Sequence, residues 1–248
     1  MANLRSAQPR PGPSLDLAGP CAACAIRELS VCSVLSANEL TRLCTIVSTI
    51  NFEAGRTVIA EGEPAGGLFN VVRGSVKLYK LLTNGRRQVT GFLFPGDFLG
   101  IALNDTYAYS AEAIEPLQLC QFPRKKLETL LAELPRLERK LLGTTAHELA
   151  VAQDQMVLLG RKTAKERVAS FLVSLSDRAL KRRRPGSPLD VPMSHTDIAD
   201  FLGLTTETIS RILTQLRRAK VISTSQRNRI DILDPEGLME LVEGATDD

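Results

Sequence analysis

Apolar positions first recur at helical steps between residues 38 and 47, where Leu40, Leu43, Ile46 and Val47 predict a short amphipathic helix. The pattern then shortens into brief apolar or alternating runs: Thr57-Val58-Ile59, Leu68 to Val72, Ser75 to Tyr79, Gln88 to Phe92 and Leu117 to Phe122. Gly55, Gly62, Gly66, Gly67, Gly74, Gly85, Gly96 and Gly100 punctuate this stretch, and Asn84-Gly85 is a hairpin signal. Short strands at near-regular spacing predict a small antiparallel barrel or roll.

After Pro123 the period becomes helical again. Leu127, Leu130, Leu131 and Leu134 predict a short helix, and Pro135 suits the first turn of the next. That next helix is long, carrying Leu137, Leu141, Leu142, Leu149, Ala152, Met156 and Leu159 at three-, four- and seven-residue steps. Such a stripe suits a symmetric partner, so Leu137, Leu141, Leu149, Ala152, Met156 and Leu159 are the expected dimerisation residues; packing on the chain's own barrel is the alternative.

Two capping boxes follow, Thr163 with Glu166 and Ser194 with Asp197, each opening a helix. Gly203-Leu204 supplies a tight turn, and Thr205 caps a third helix reaching about Arg218. In that helix Ile209, Ile212, Leu213 and Leu216 share one face and must point to a core. Glu207, Ser210, Arg211 and Thr214 then occupy the opposite side. Arg bonds guanine as a pair, Glu accepts from cytosine and Ser serves either, so this face suits the recognition helix of a helix-turn-helix. Alternating runs at Val221–Thr224 and Ile230–Leu233 add a wing, and Arg217, Arg218, Lys220, Arg227 and Arg229 are candidate phosphate contacts. Thr206, in the first turn, joins the candidate DNA-binding residues.

Composition changes this picture little. The 248 residues carry a net charge of only +3, but basic residues crowd the region from Arg178 to Arg229 and the tail is acidic. Residues 1 to 20, rich in Pro and Gly, read as a flexible arm. The run Lys181-Arg182-Arg183-Arg184-Pro185-Gly186 reads as a basic surface loop. No apolar run approaches the roughly 18 residues of a membrane span and no leader pattern opens the chain, so no membrane partner and a cytoplasmic location are expected. No nucleophile elbow, P-loop or dinucleotide fingerprint points to an enzyme.

Five cysteines are more telling. Cys21, Cys24 and Cys32 are spaced C-x2-C-x7-C, and Cys120 follows at the end of a strand-like run. In a reducing compartment clustered cysteines point to metal or redox chemistry rather than staples. Four thiolates suit tetrahedral zinc, but structural zinc sites tend to pair two short knuckles and this chain has one. Uneven spacing with a distant fourth ligand suits an iron–sulfur cluster. Cys44, among Leu43 and Ile46 on the short helix, reads as a small hydrophobe. His147 and His195 are the only histidines, leaving little for haem.

The roll, the long helix and the segment GLTTETISRILTQLRRAKVI together resemble the CRP/FNR family of bacterial transcription regulators. The resemblance implies an α+β chain: a flexible arm with the cysteine cluster over 1–36, a cyclic-nucleotide-binding-like antiparallel β-roll sensor over 37–123, a dimerisation helix over 124–160 and a winged helix-turn-helix over 161–248. Glu207, Ser210 and Arg211 resemble the recognition element of the FNR branch, which implies a homodimer on TTGAT-like palindromic double-stranded DNA, with RNA polymerase as a further partner. The cysteines imply a [4Fe–4S] cluster held by Cys21, Cys24, Cys32 and Cys120, and the seven-residue gap resembles the α-proteobacterial variant. Cyclic nucleotide is not expected. Pro95 to Gly100 and Tyr109-Ser110-Ala111 stand where the CRP branch places its ribose and phosphate partners, and the phosphate-binding Arg is missing.

Overall fold

The computed structural model describes residues 21, 23–102, 105–182, 187–226 and 228–244. The Pro-rich opening stretch to residue 20, the loop residues Arg183, Arg184, Pro185 and Gly186, the wing residue Arg227 and the acidic end at Asp247 and Asp248 lie outside the described residues.

Eight strands build the roll: β1 (Ser48–Phe52), β2 (Thr57–Ile59), β3 (Gly67–Arg73), β4 (Val76–Leu81), β5 (Arg87–Leu93), β6 (Phe98–Leu99), β7 (Ser110–Ala113) and β8 (Leu117–Pro123). They form two four-stranded sheets, ordered β1-β8-β3-β6 and β2-β7-β4-β5, with every neighbouring pair antiparallel. Val71, Val76, Ala111, Ala113 and Leu119 fill the space between the sheets. Alternation along β8 sends Leu117 and Leu119 into that core and turns Cys120 to the other face. On that outer face Cys120 stands in register with Thr49 of β1 on one side and Asn70 of β3 on the other.

The outer face is covered by helical pieces. α1 (Ala37–Cys44) opens on a capping box of Ser36 and Glu39. α2 (Arg124–Leu131) leads into α3 (Pro135–Arg161), 27 residues long with proline in its first turn. At about 1.5 Å per residue α3 spans roughly 40 Å. Its first turns bury Leu137 among Val31, Cys32, Leu43, Phe122, Leu127 and Leu134.

The segment before α1 departs from the expectation of a flexible arm to residue 36. Arg27–Leu29 and Val31–Val34 form two 3-10 turns, and Cys21, Ile26, Val31 and Cys32 are buried. The reason is local: the Ser30 hydroxyl accepts from the Cys32 amide, and Val31, Cys32 and Leu35 after it gain burial against α1 and α3. Gly96 makes room for this segment. Its φ is +99°, and a side chain there would stand 2.8 Å from the Leu29 Cβ.

The C-terminal part comprises α4 (Ala164–Lys181), β9 (Leu189–Asp190), α5 (His195–Leu202), α6 (Thr206–Arg218), β10 (Ile222–Gln226), β11 (Arg229–Ile232) and α7 (Pro235–Glu243). The last three strands form one sheet ordered β10-β11-β9. Both predicted capping boxes are present, at Thr163 with Glu166 and at Ser194 with Asp197. Val89 and Phe92 of β5 enter the core of this part, where Phe92 meets Phe201 at 5.1 Å and Phe171 at 6.1 Å between ring centres.

Candidate functional site

Cys21, Cys24, Cys32 and Cys120 line one cavity of about 250 Å3, bounded also by Leu40, Leu43 and Phe122. Three of the four come from the 3-10 turn segment and one from β8. No three His, Cys, Asp or Glu side chains among the described residues converge closely enough to hold one metal ion. Burial pushes the Cys32 thiol up to about 11 and the Cys120 thiol up to about 12, and raises the Cys21 thiol as well. Cys44, which the sequence marks as a packing residue, is half-buried against the core of α1 and does not line the cavity.

Two polar groups in the wall were not foreseen. The Arg27 Nη2 donates to the Cys21 carbonyl at 2.6 Å, while its Nε is buried with no partner. Asn70 is buried and its Oδ1 also lacks a partner. Nothing in the spacing of β3 marks Asn70. A polar residue inside an otherwise apolar run, Leu68-Phe69-Asn70-Val71-Val72, was the available signal.

A second polar region joins the roll to the C-terminal part. Lys77 Nζ lies 2.9 Å from Asp197 Oδ1 and 2.8 Å from Glu112 Oε1. Arg87 reaches Asp197 at 2.9 Å and Asp200 at 3.0 Å, and the Gln88 amide donates to the Asp200 carbonyl. Arg178 donates to the Phe92 carbonyl at 3.0 Å and pairs with Asp97 at 2.6 Å. Burial alone would push the Asp197 carboxyl up, but the Ser194 hydroxyl, the Lys77 ammonium and the Arg87 guanidinium outweigh it and hold the group below its ordinary range.

The helix-turn-helix is formed by α5 and α6. Gly203, at φ +63°, makes the turn that only a residue without Cβ strain adopts readily. The Thr205 hydroxyl accepts from the Thr208 amide at 3.2 Å and caps α6. Ile209, Ile212 and Leu216 are buried and Leu213 packs beside them. Glu207, Arg211, Arg217 and Arg218 are exposed, whereas Thr206, Ser210 and Thr214 are half-buried. The Ser210 hydroxyl is 3.1 Å from His195 Nδ1, and Arg217 donates to the Thr214 hydroxyl at 2.8 Å.

The expected dimerisation stripe divides along α3. Leu137 is only 1% exposed and serves the chain's own core, because its turn rests on the roll; it is not available to a partner in this structure. Leu141 packs half-buried against the same core, and Leu159 is half-buried near Gly203. Leu149 and Met156 are 61% and 71% exposed, Ala152 is exposed, and Leu142, which lay outside the expected set, is 70% exposed. Among the described residues no helix is long and apolar enough to cross a membrane.

Comparison with known proteins matches residues 166–241 to a Crp-like helix-turn-helix domain and residues 49–133 to a cyclic nucleotide-binding domain. The nitrogen fixation regulation protein FixK of Bradyrhizobium diazoefficiens is 42% identical over 215 residues, 87% of this chain and 90% of that protein. The transcriptional activator protein FnrL of Cereibacter sphaeroides is 38% identical over 224 residues, covering 89% and 90% respectively. Among solved structures, FixK2 from Bradyrhizobium japonicum superposes with a TM-score of 0.75 at 37% identity, over 79% of this chain and 97% of that one.

Proposed function

Because the chain belongs to the CRP/FNR family of transcription regulators, we propose that it is a redox-responsive member, in which an iron–sulfur centre at Cys21, Cys24, Cys32 and Cys120 governs dimerisation and operator binding. It is a regulator and not an enzyme, and its helix-turn-helix is the family's DNA-binding element. The observation that supports the redox reading is the meeting of these four cysteines, 99 positions apart at the extremes, around one cavity. Four cysteines with uneven spacing and a distant fourth ligand suit an iron–sulfur centre. When bound, a [4Fe–4S] cluster supplies an electron-rich centre that dioxygen dismantles.

The chain's own residues explain how such a site reaches DNA. Cys32 and Val31 share a core with Leu134 and Leu137, so whatever orders the cysteine segment orders the footing of α3. Above that footing, the exposed Leu142, Leu149, Ala152 and Met156 offer a face for a second copy, with Leu141 and Leu159 at its margins. Two-fold symmetry then presents two α6 helices to successive major grooves of a TTGAT-like palindrome. Glu207, Ser210 and Arg211 meet base edges there, Thr206 and Thr214 flank them, and Arg217 and Arg218 hold phosphates. RNA polymerase is the partner through which bound dimers act on transcription. Cyclic nucleotide has no part in this reading. The Gly100 amide is taken by the Tyr109 hydroxyl and the Ser110 hydroxyl by the Glu61 amide, in the stretches where a nucleotide would be held.

One observation favours a second reading, a thiol–disulfide switch: Cys21, Cys24, Cys32 and Cys120 line one cavity as free thiols. Binding to a TTGAT palindrome with and without air separates the two. Cys24→Ala is expected to abolish anaerobic binding while Cys44→Ala leaves it. Oxygen-sensitive binding retained by Cys24→Ala, or binding restored by reductant alone in iron-free protein, contradicts the cluster reading.

A further inference from the structure

Among the described residues, the buried side-chain nitrogen and oxygen atoms without a hydrogen-bond partner are Arg27 Nε and Asn70 Oδ1. Both residues line the cavity that the four cysteines share. Leaving such an atom buried and unmatched is costly, because its hydration is lost with nothing in exchange. Asn70 is only 1% exposed, on a strand whose neighbouring residues are apolar, and an apolar side chain would fill its place without that penalty. The fold alone therefore gives no account of it.

Register does. Asn70 and Cys120 are directly opposed on β3 and β8. Opposed residues of an antiparallel pair leave the sheet on the same face with Cβ atoms roughly 5 Å apart. A carboxamide presents either its oxygen or its NH2 to one direction by a half-turn about its last torsion. Thiolate and sulfide sulfurs are acceptors, so the NH2 is the half that a bound iron–sulfur centre would select. The Arg27 Nε–H is a second donor in the same wall, anchored by the bond from Nη2 to the Cys21 carbonyl.

We propose that Asn70, supported by Arg27, is a positioning residue of the cysteine site whose amide N–H donates to sulfur on the Cys120 side of the bound centre and sets its reduction potential and lifetime in air. The proposal rests on the iron–sulfur reading above. Hydrogen bonds to cluster sulfurs withdraw electron density, stabilise the reduced form and raise the potential. Taking the donor away makes the centre easier to oxidise.

The test uses the full chain, assembled anaerobically with iron and sulfide, as wild type, Asn70→Leu, Asn70→Ala and Asn70→Ser. Asn70→Leu and Asn70→Ala are expected to lower the midpoint potential and speed the decay of visible absorbance in air by about 10-fold, the size of effect common for partners of metal ligands. Asn70→Ser, which keeps an O–H donor, restores most of the lifetime. In the iron-free chain Asn70→Leu raises the thermal unfolding midpoint, because the unmatched amide is gone. Wild-type potential and lifetime in Asn70→Leu and Asn70→Ala overturn the proposal while leaving the cluster reading intact. A lowered unfolding midpoint in iron-free Asn70→Leu also overturns it, since Asn70 would then be a structural residue. A wild-type chain that takes up neither iron nor sulfide removes the cluster reading, and the proposal with it.

Discussion

The cysteine cavity and the seam between the roll and the C-terminal part are both polar regions inside the molecule, and they are completed in opposite ways. At the seam the charged groups are matched: Lys77 has two carboxylates, Arg87 has two, and Asp197 takes Lys77, Arg87 and the Ser194 hydroxyl. In the cavity the Arg27 Nε and Asn70 Oδ1 are unmatched, and burial pushes the Cys21, Cys32 and Cys120 thiols up. A matched polar region is part of the architecture, whereas an unmatched one calls for a separate explanation, which the proposed iron–sulfur centre supplies. Removing a polar group should therefore weaken the first and, without a guest, strengthen the second.

The largest effect belongs to the seam. Asp197→Ala removes the carboxylate that Lys77 and Arg87 share and the Asp197 half of the α5 capping box, and is expected to cost about 3 kcal/mol in urea unfolding. Lys77 keeps Glu112 and Arg87 keeps Asp200, which holds the loss at the lower end for a buried pair. The same residue gives the seam a pH dependence. Its folded-state carboxyl titrates below the ordinary value, so its contribution is complete above about pH 4 and is lost as pH falls through the lower folded value. Stability measured against pH should fall on the acid side, and Asp197→Asn should flatten that limb. An unchanged acid limb would mean that the Lys77 and Arg87 contacts do not stabilise the seam.

Asn70→Leu is the converse on the cavity side, a gain of about 1 kcal/mol in the iron-free chain. The smallest effect on stability lies outside both regions. Arg211→Ala, on the exposed face of α6, should leave stability within about 0.5 kcal/mol. Its consequence appears in competition binding, where discrimination at one base position should fall by about 1–3 kcal/mol. Arg217→Ala should instead weaken all sequences alike and lower the salt slope by about one.

How far the sequence foretold these regions depends on how local their signals are. The helix-turn-helix was legible because a cap, a turn glycine and a helical stripe lie within one short segment around Ser194, Gly203 and Ile209. β1, β6 and β7 went unread: Ser48–Phe52 mixes exposed and half-buried positions, Phe98–Leu99 is two residues long, and Ser110–Ala113 is built of small residues around Glu112. α7 was passed over as part of the acidic tail although Asp234 and Pro235 mark its start. The four cysteines stood out by spacing, but Asn70 and Arg27 join them only through sheet register and a 3-10 turn. The seam was invisible for a similar reason, since Lys77 and Asp197 lie 120 positions apart and Asp197 also reads as a cap. Leu137 shows the opposite error: a helical stripe says which residues share a face, not which neighbour covers each turn.

The proposed iron–sulfur centre is tested most directly by the metal content of the chain under strict anaerobiosis. Full-length wild-type chain, assembled and assayed without oxygen, is expected to be brown and to carry about four iron and four acid-labile sulfide per chain. A colourless chain carrying one zinc ion, or no metal at all, would contradict it.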